Sequence, residues 1–240
     1  YQLFVRAYGT NNFPDCSNMC HEASGVGMSE TLGVGKGTVV FHDLELADAI
    51  FVIGQNPGTN HPRMLGELRH AAKRGARIMS FNPMRERGLE RFADPQAKIE
   101  MATNSSTPIS SHYFQLRVGG DFALVKGMMK YLVECEDAGE QVIDHTFIAE
   151  HTTGFGDVVE DLRAESWALL EQESGLSIEQ IRTAAEVYKN AERTIACWGM
   201  GITQHPHSVA TIQMIGNLLL MRGNICLLYT SDAADEEDSV

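Results

Sequence analysis

Apolar residues in this chain fall into short runs separated by amphipathic stretches. Ala49-Ile50-Phe51-Val52-Ile53 is one such run, bounded by Gly54 and Pro57. An uninterrupted apolar pentad of this kind predicts a strand buried on both faces of a parallel sheet. Over residues 61–74, the apolar positions Met64, Leu65, Leu68, Ala71 and Ala72 recur at helical spacing, and Gly75 is placed to end the helix. Residues 76–81 form a second apolar strand closed by Asn82-Pro83. Strand, loop, helix and strand thus follow within about 33 residues, which is one βαβ unit.

The alternation continues. A strand is predicted over 113–118, then Gly119-Gly120-Asp121, then a helix over 122–135. Residues 143–166 carry no clean period and are broken by Gly154-Phe155-Gly156. Ser177-Ile178-Glu179-Gln180 has the form of a capping box and opens a helix running to about Asn190. Thr194-Ile195-Ala196-Cys197-Trp198 reads as a strand ending in Gly199-Met200-Gly201, and a last helix spans 208–221. Strands alternating with helices predict the α/β class with a mostly parallel, Rossmann-like sheet. There is no internal repeat and no low-complexity segment.

Composition narrows the function classes. The chain has 240 residues, 43% of them hydrophobic and 21% charged, enough for a packed core. A formal net charge of −13 argues against a nucleic-acid surface. No run of eighteen apolar residues predicts a membrane span. The first residue is Tyr1, with no basic-then-apolar leader after it, so the chain reads as an internal piece of a longer protein. Five cysteines, an odd and small number, suit a reduced, cytoplasmic chain better than a disulfide framework. Two segments are expected: residues 1–225 as one α/β region, and residues 226–240 as a disordered tail. The string from Cys226 to Glu236 resembles a translated sequencing adapter; the alternative is a natural acidic tail. Without that tail, five acids leave and the net charge becomes −8.

Three loops at predicted strand ends share a chemistry: Gly54-Gln55-Asn56-Pro57-Gly58-Thr59-Asn60-His61-Pro62, Asn82-Pro83-Met84-Arg85-Glu86, and Gly199-Met200-Gly201-Ile202-Thr203-Gln204. Ligands of such sheets bind beyond the carboxyl ends of the strands. Taken singly, each loop has the composition of an ordinary turn. Together they offer close backbone approach and neutral hydrogen-bonding groups. None carries G-x-G-x-x-G or G-x-x-x-x-G-K-[ST], which disfavours a plain NAD domain or a P-loop ATPase.

Cys16-Ser17-Asn18-Met19-Cys20-His21-Glu22 is the sharpest local feature. Zinc needs four ligands, and His205 and His207 are the only obvious recruits. An iron–sulfur cluster is likewise short of ligands. A buried cysteine beside a surface histidine remains open, as does a single soft thiolate ligand with a neighbouring imidazole for proton transfer.

These segments together resemble the molybdopterin oxidoreductase superfamily, specifically its formate-dehydrogenase-like alpha subunits and their acid-resistance-associated branch. The resemblance runs over residues 4–224 and rests on R-A-Y-G-T-N-N, C-S-N-M-C-H-E-A-S-G, G-Q-N-P-G-T-N-H-P-R-M and W-G-M-G-I-T-Q. It implies that Cys20 ligates molybdenum and that His21 relays a proton. It also implies that Gly54, Asn56, Pro57, Thr59, His61, Asn82, Pro83, Gly120, Asp121, Gly199, Met200, Gly201 and Gln204 contact the cofactor. That cofactor would be a molybdenum bis(molybdopterin guanine dinucleotide), with a [4Fe-4S] cluster in an absent N-terminal part. A small-molecule substrate and an electron-transfer partner are the partners implied. One departure concerns substrate: Gln213 stands where the resemblance implies a formate-orienting arginine in the helix after W-G-M-G. The alternative reading of the whole chain is a non-catalytic nucleotide-binding module.

Overall fold

Strand β1 (Ala49–Ile53) is buried along its whole length, as its apolar run requires. The computed structural model describes residues 1–11 and 20–225; Cys16 and the tail from Cys226 lie outside them. Among the described residues the further strands are β2 (Arg77–Phe81), β3 (Arg91–Phe92), β4 (Thr107–Pro108), β5 (His112–Phe114) and β6 (Thr194–Trp198). Four of them form one parallel sheet in the order β5-β2-β1-β6, while β3 and β4 make a small antiparallel pair. In register, Ile50 sits between Ile78 and Ile195, and Phe51 between Met79 and Ala196.

Because side chains alternate along a strand, the same five residues of β1 feed two cores. Ala49, Phe51 and Ile53 face one side with Met79, Phe81 and Phe114. There they meet Leu124, Met128 and Leu132 of helix Asp121–Asp137, Ile181 and Tyr188 of helix Ile178–Lys189, and Ile212 and Ile215 of helix Ser208–Leu220. Ile50 and Val52 face the other side with Ile78 and Ile195, covered by Leu65, Leu68 and Ala71 of helix Met64–Arg74. Helices on both faces of a parallel sheet are the doubly wound arrangement.

Most predicted elements appear at the predicted places. Helix Met64–Arg74 ends on Gly75 with φ 99°, and Ser177 and Gln180 close a reciprocal capping box at the start of Ile178–Lys189. The region without a period, 143–166, becomes two helices, His145–His151 and Phe155–Ala164. The strand predicted over 113–118 is shorter: β5 stops at Phe114, since Gln115 donates to the Pro83 carbonyl and the Arg117 N–H to the Ser174 carbonyl.

The chain runs outward from β1 to β2 to β5, then returns to the opposite side of β1 as β6. The strand order therefore reverses between β1 and β6, and the loops leaving these two strands part there. They part from a tight contact. The Gly199 N–H donates to the Ile53 carbonyl at 3.0 Å, and the Gly201 N–H to the Gly54 carbonyl at 3.0 Å. A Cβ on Gly201 would lie 2.7 Å from the Gly54 Cα, and a Cβ on Gly54 would lie 2.9 Å from the Gly201 Cα. Both obstacles are backbone, and Gly54 also holds φ 56°. Gly54→Ala and Gly201→Ala should each cost about 2 kcal/mol or more in urea unfolding. Gly66, on helix Met64–Arg74, has open space where its Cβ would go. Gly66→Ala should instead gain about 0.5–1 kcal/mol. Equal effects at the three positions would refute this account of the divide.

Candidate functional site at the carboxyl ends of the strands

The loops after β1, β2 and β6 are knitted together. The Gly54 N–H donates to the Phe81 carbonyl at 2.9 Å, tying the first loop to β2. Asn56 works in two directions: its Oδ1 accepts from the Thr59 N–H at 3.2 Å, and its Nδ2 donates to Glu86 Oε2 at 2.6 Å. The first contact forms the turn that carries Pro57 and Thr59; the second joins the β1 loop to the β2 loop. Asn82 is buried, and its N–H donates to the Phe114 carbonyl, linking β2 to β5. Tyr113 of β5 accepts from the Glu86 N–H and donates to the Met84 carbonyl, so the loop that opens with Asn82 and Pro83 has little freedom. In the β6 loop, Met200 is exposed beside the buried Ile202, and the Gln204 N–H donates to the Met200 carbonyl.

At the β5 end, Gly120 packs against Ser174, whose carbonyl would be 2.8 Å from a Cβ there. The next residue, Asp121, is 6% exposed at the start of helix Asp121–Asp137. Burial pushes its carboxyl up to about 6, and its own backbone N–H is what opposes this. Among the described residues no other group donates to it. A desolvated carboxylate with so few donors is costly to ionise.

At the β6 end, Cys20 is a free, half-buried thiol just before helix Glu22–Leu32, and His21 caps that helix. The Trp198 indole donates to the Ser24 hydroxyl at 2.9 Å, and Ser24 Oγ lies 3.1 Å from His21 Nδ1. An indole can only donate. Ser24 Oγ has two lone pairs and can also accept from a proton on His21 Nδ1; in that tautomer Nε2 is the ring nitrogen with a free lone pair. The relay anchors His21 to the last residue of β6.

His21 and Trp198 border a cavity of about 410 Å³, with Gln55, Met64 and the stretch from Gly35 to Val39. Gln55 and Met64 separate it from a second, of about 540 Å³, bordered also by His61 and Cys197. Gln55 is the residue that sequence reasoning passed over. It is 9% exposed, its Nε2 faces His61 Nδ1 at 3.2 Å and Met64 Sδ at 3.6 Å, and its buried Oε1 has no partner. A thioether has no proton to give, so the group facing Met64 is the amide NH₂ and the acceptor is left over. The signal in the sequence was a long polar side chain directly after the strand-ending Gly54; Ser24 and Trp198 gave none, because their pairing spans 174 positions.

The fold thus brings the predicted loop residues to the carboxyl ends of the four parallel strands. With strands about 4.8 Å apart, the β5 and β6 loops stand roughly 14 Å from each other across the sheet. Asp121 and Gly120 lie at one end, Cys20 and His21 at the other. Gln213 is not brought to either. Its Nε2 donates to Glu30 Oε2 at 2.6 Å on the exposed side of two packed helices. Glu30 is nine residues along the helix from His21, about 13 Å at the α-helical rise. Among the described residues, no group of three or more His, Cys, Asp or Glu could hold a metal ion, and no helix is long and apolar enough to cross a membrane.

Residues 2–231 match the family model described as Molybdopterin oxidoreductase. The chain belongs to the molybdopterin oxidoreductase family. Protein YdeP of Escherichia coli is 54% identical over 230 residues, covering 94% of this chain and 30% of YdeP. An uncharacterized oxidoreductase of Mycobacterium tuberculosis is 44% identical over 226 residues, 94% of this chain and 29% of that protein. Formate dehydrogenase H of Escherichia coli is 30% identical over 228 residues, 93% of this chain and 28% of that enzyme. The chain therefore spans about three-tenths of the length of these relatives. Among solved structures, acetylene hydratase from Pelobacter acetylenicus superposes with a TM-score of 0.69 at 21% identity, over 92% of this chain and 27% of that one, which shows a shared fold.

Asp121 gives this molybdopterin oxidoreductase domain a testable pH signature. Folded, the carboxyl titrates at about 6; unfolded, an aspartate titrates near about 3.9. The folded state holds the proton more tightly, so the stability from this group is complete below pH ~4 and is lost as pH rises through ~6. Asp121→Asn should cancel that loss. In urea unfolding, the variant should gain about 2–3 kcal/mol on the unmodified chain between pH 4 and pH 7.5. A difference that does not change with pH would show that Asp121 is not desolvated.

Proposed function

We propose that this chain is the cofactor-binding part of a molybdenum-dependent, formate-dehydrogenase-like oxidoreductase that uses a molybdenum bis(molybdopterin guanine dinucleotide). The observation that carries the proposal is the row of loops at the carboxyl ends of the sheet. It has a desolvated carboxylate at the β5 end and a free thiol beside an anchored imidazole at the β6 end. Glycine-rich loops with neutral side chains lie between them.

The donor set suits that group. Guanine presents adjacent N–H donors, and Asp121 is a buried acceptor answered only by its own backbone N–H. The unpartnered Gln55 Oε1 calls for another N–H or O–H donor, of the sort a pterin ring carries. Gly54, Asn56, Pro57, Thr59, His61, Asn82, Pro83, Gly120, Gly199, Met200, Gly201 and Gln204 would line the path between. Cys20 would supply a thiolate, a soft ligand suited to a heavy transition metal. The bound group supplies two-electron redox chemistry, and the chain orients it and handles the proton. His21 would take that proton at Nε2 in the tautomer whose Nδ1–H donates to Ser24 Oγ. The Ser24–Trp198 relay on Nδ1 keeps the ring facing the site. A [4Fe-4S] cluster and an electron partner belong to the rest of the protein in this reading.

Gln213 has no part in the proposed site, because its amide is engaged by Glu30 far along the helix. An arginine there would pair with Glu30, so Gln213→Arg should not by itself create a formate site.

Two measurements test the proposal. In the whole protein, Cys20→Ser should abolish turnover while Cys16→Ser retains most of it. The unmodified protein should carry close to one molybdenum per chain. For the guanine end, calorimetry of this chain with GDP should show Asp121→Asn weakening the affinity by roughly tenfold or more. That is the range for a hydrogen bond to a charged group, about 1.5–3 kcal/mol. Equal activity of the two cysteine variants, or no preference for GDP over ADP, would count against it.

A further inference from the structure

We propose that the outer edge of β6 is a docking edge that receives one more parallel strand, supplied by an extended apolar polypeptide segment. β6 is the last strand of the sheet on its side and pairs only with β1 among the described residues. In a parallel strand the N–H and C=O of one residue point the same way, and the direction alternates. The Arg193 carbonyl accepts from Asp48 and Ala49, and the Gly199 N–H donates to the Ile53 carbonyl, so odd positions face β1. Thr194, Ala196 and Trp198 therefore turn their backbone groups outward.

The first of these three is already answered. Helix Ser208–Leu220 carries the chain back to the start of β6, Gly223 turns it with φ 63°, and Asn224 Oδ1 accepts from the Thr194 N–H at 2.8 Å. That side-chain carbonyl takes the place an incoming strand's carbonyl would have. Beyond it the ladder stops. No hydrogen bond reaches the Ala196 or Trp198 N–H from the described residues, and the buried Thr194 hydroxyl also has no partner.

What surrounds this edge is apolar. Val39, Ile195, Ile212, Ile215 and Leu219 line the cavity along it. Ala196, Cys197 and Trp198 are only half-buried, although their β1 neighbours are fully buried. Parallel sheets are normally covered on both faces and flanked, and an exposed edge bearing an apolar groove is a template for another strand. The groove suits a backbone with small or branched apolar side chains, running from Thr194 towards Trp198 and thus ending at the cavity that His21 and Gln55 border. The chain spans about three-tenths of its relatives. The source of the segment, on the reading proposed above, is another stretch of the whole oxidoreductase; the edge itself does not depend on that reading.

The test is amide hydrogen exchange with residue resolution, on this chain and on the whole protein. The Ala196 and Trp198 amides should exchange about tenfold or more slowly in the whole protein, the value of one backbone hydrogen bond. The Ile195 and Cys197 amides, bonded to β1 in both, should differ much less. Ala196→Pro removes an outward N–H and is compatible with an edge strand. It should leave the melting temperature of this chain nearly unchanged, and in the whole protein should return the Trp198 amide to fast exchange. Equal exchange at Ala196 and Trp198 in both proteins would overturn the proposal. So would protection in this chain alone accompanied by dimerisation, which would make a second copy the occupant. Neither result depends on the metal content, so failure here is distinct from failure of the molybdenum reading.

Discussion

Gly54 and Gly201 meet backbone to backbone where β1 and β6 send their chains in opposite directions, and no side chain fits between them. The contact sets how near the two loops can start, and so how the crevice opens. A single Cβ there would force the loops apart at their roots, moving Gln55 and Asn56 on one side and Met200 on the other. The hydrogen bonds from Gly199 to Ile53 and from Gly201 to Gly54 extend the β1–β6 ladder past the sheet. The loops inherit the rigidity of the strands they leave. A site built from loops is then positioned nearly as well as one built from strands, which is what binding an elongated ligand across several strand ends demands.

Charge is handled in two ways in this acidic chain. Arg69 is buried, but it donates twice to Glu100, which also accepts from Lys73 and from the Asp94 backbone, while Arg69 pairs with Asp94. Hydrogen bonds from Arg69 and Lys73 hold the Glu100 carboxyl far below the usual range. Lys130 is equally buried and spends its ammonium on the Leu162 and Arg163 carbonyls at the end of a helix. These groups are structural because their partners are complete. Asp121 is as buried and has no such partners, and its carboxyl moves up instead of down. The contrast singles it out: two carboxylates of similar exposure differ in how far the fold answers them, and the one with only its own backbone N–H starts the helix that follows β5.

The elements that the amino-acid pattern revealed are those whose cause is local. The pentad of β1 had to be buried on both faces, and the Ser177–Gln180 box and Gly75 mark helix ends through their own backbone geometry. The length of β5 was not legible, since Phe114 ends it through contacts from Pro83 and Ser174, distant in the chain. Of the two helices within 143–166, His145–His151 is short and packs mainly through Ile148, while Phe155–Ala164 sets Phe155, Val158, Val159 and Leu162 at helical spacing, a pattern masked by the glycines at its start. The crevice loops were legible as turn-rich segments after apolar runs. Which residue in them is unsatisfied was not, because the orphaned Gln55 oxygen follows from the positions of His61 and Met64. Gln213 shows the converse. Its position after W-G-M-G suggested a substrate contact, while the helix packing gives its amide to Glu30.

The relay from Trp198 through Ser24 to His21 joins these points into one constraint on chemistry. Ser24 Oγ, held by the Trp198 indole, lies 3.1 Å from His21 Nδ1, so that ring nitrogen is engaged and Nε2 is clear of the relay. The direction in which Nε2 points is thereby set from the end of β6. Trp198 is the residue through which sheet register reaches His21, and it has an outward-facing backbone on the free edge. A strand added on that edge would lie two hydrogen bonds from the imidazole, so the proposed docking and the ring's orientation share one residue, Trp198.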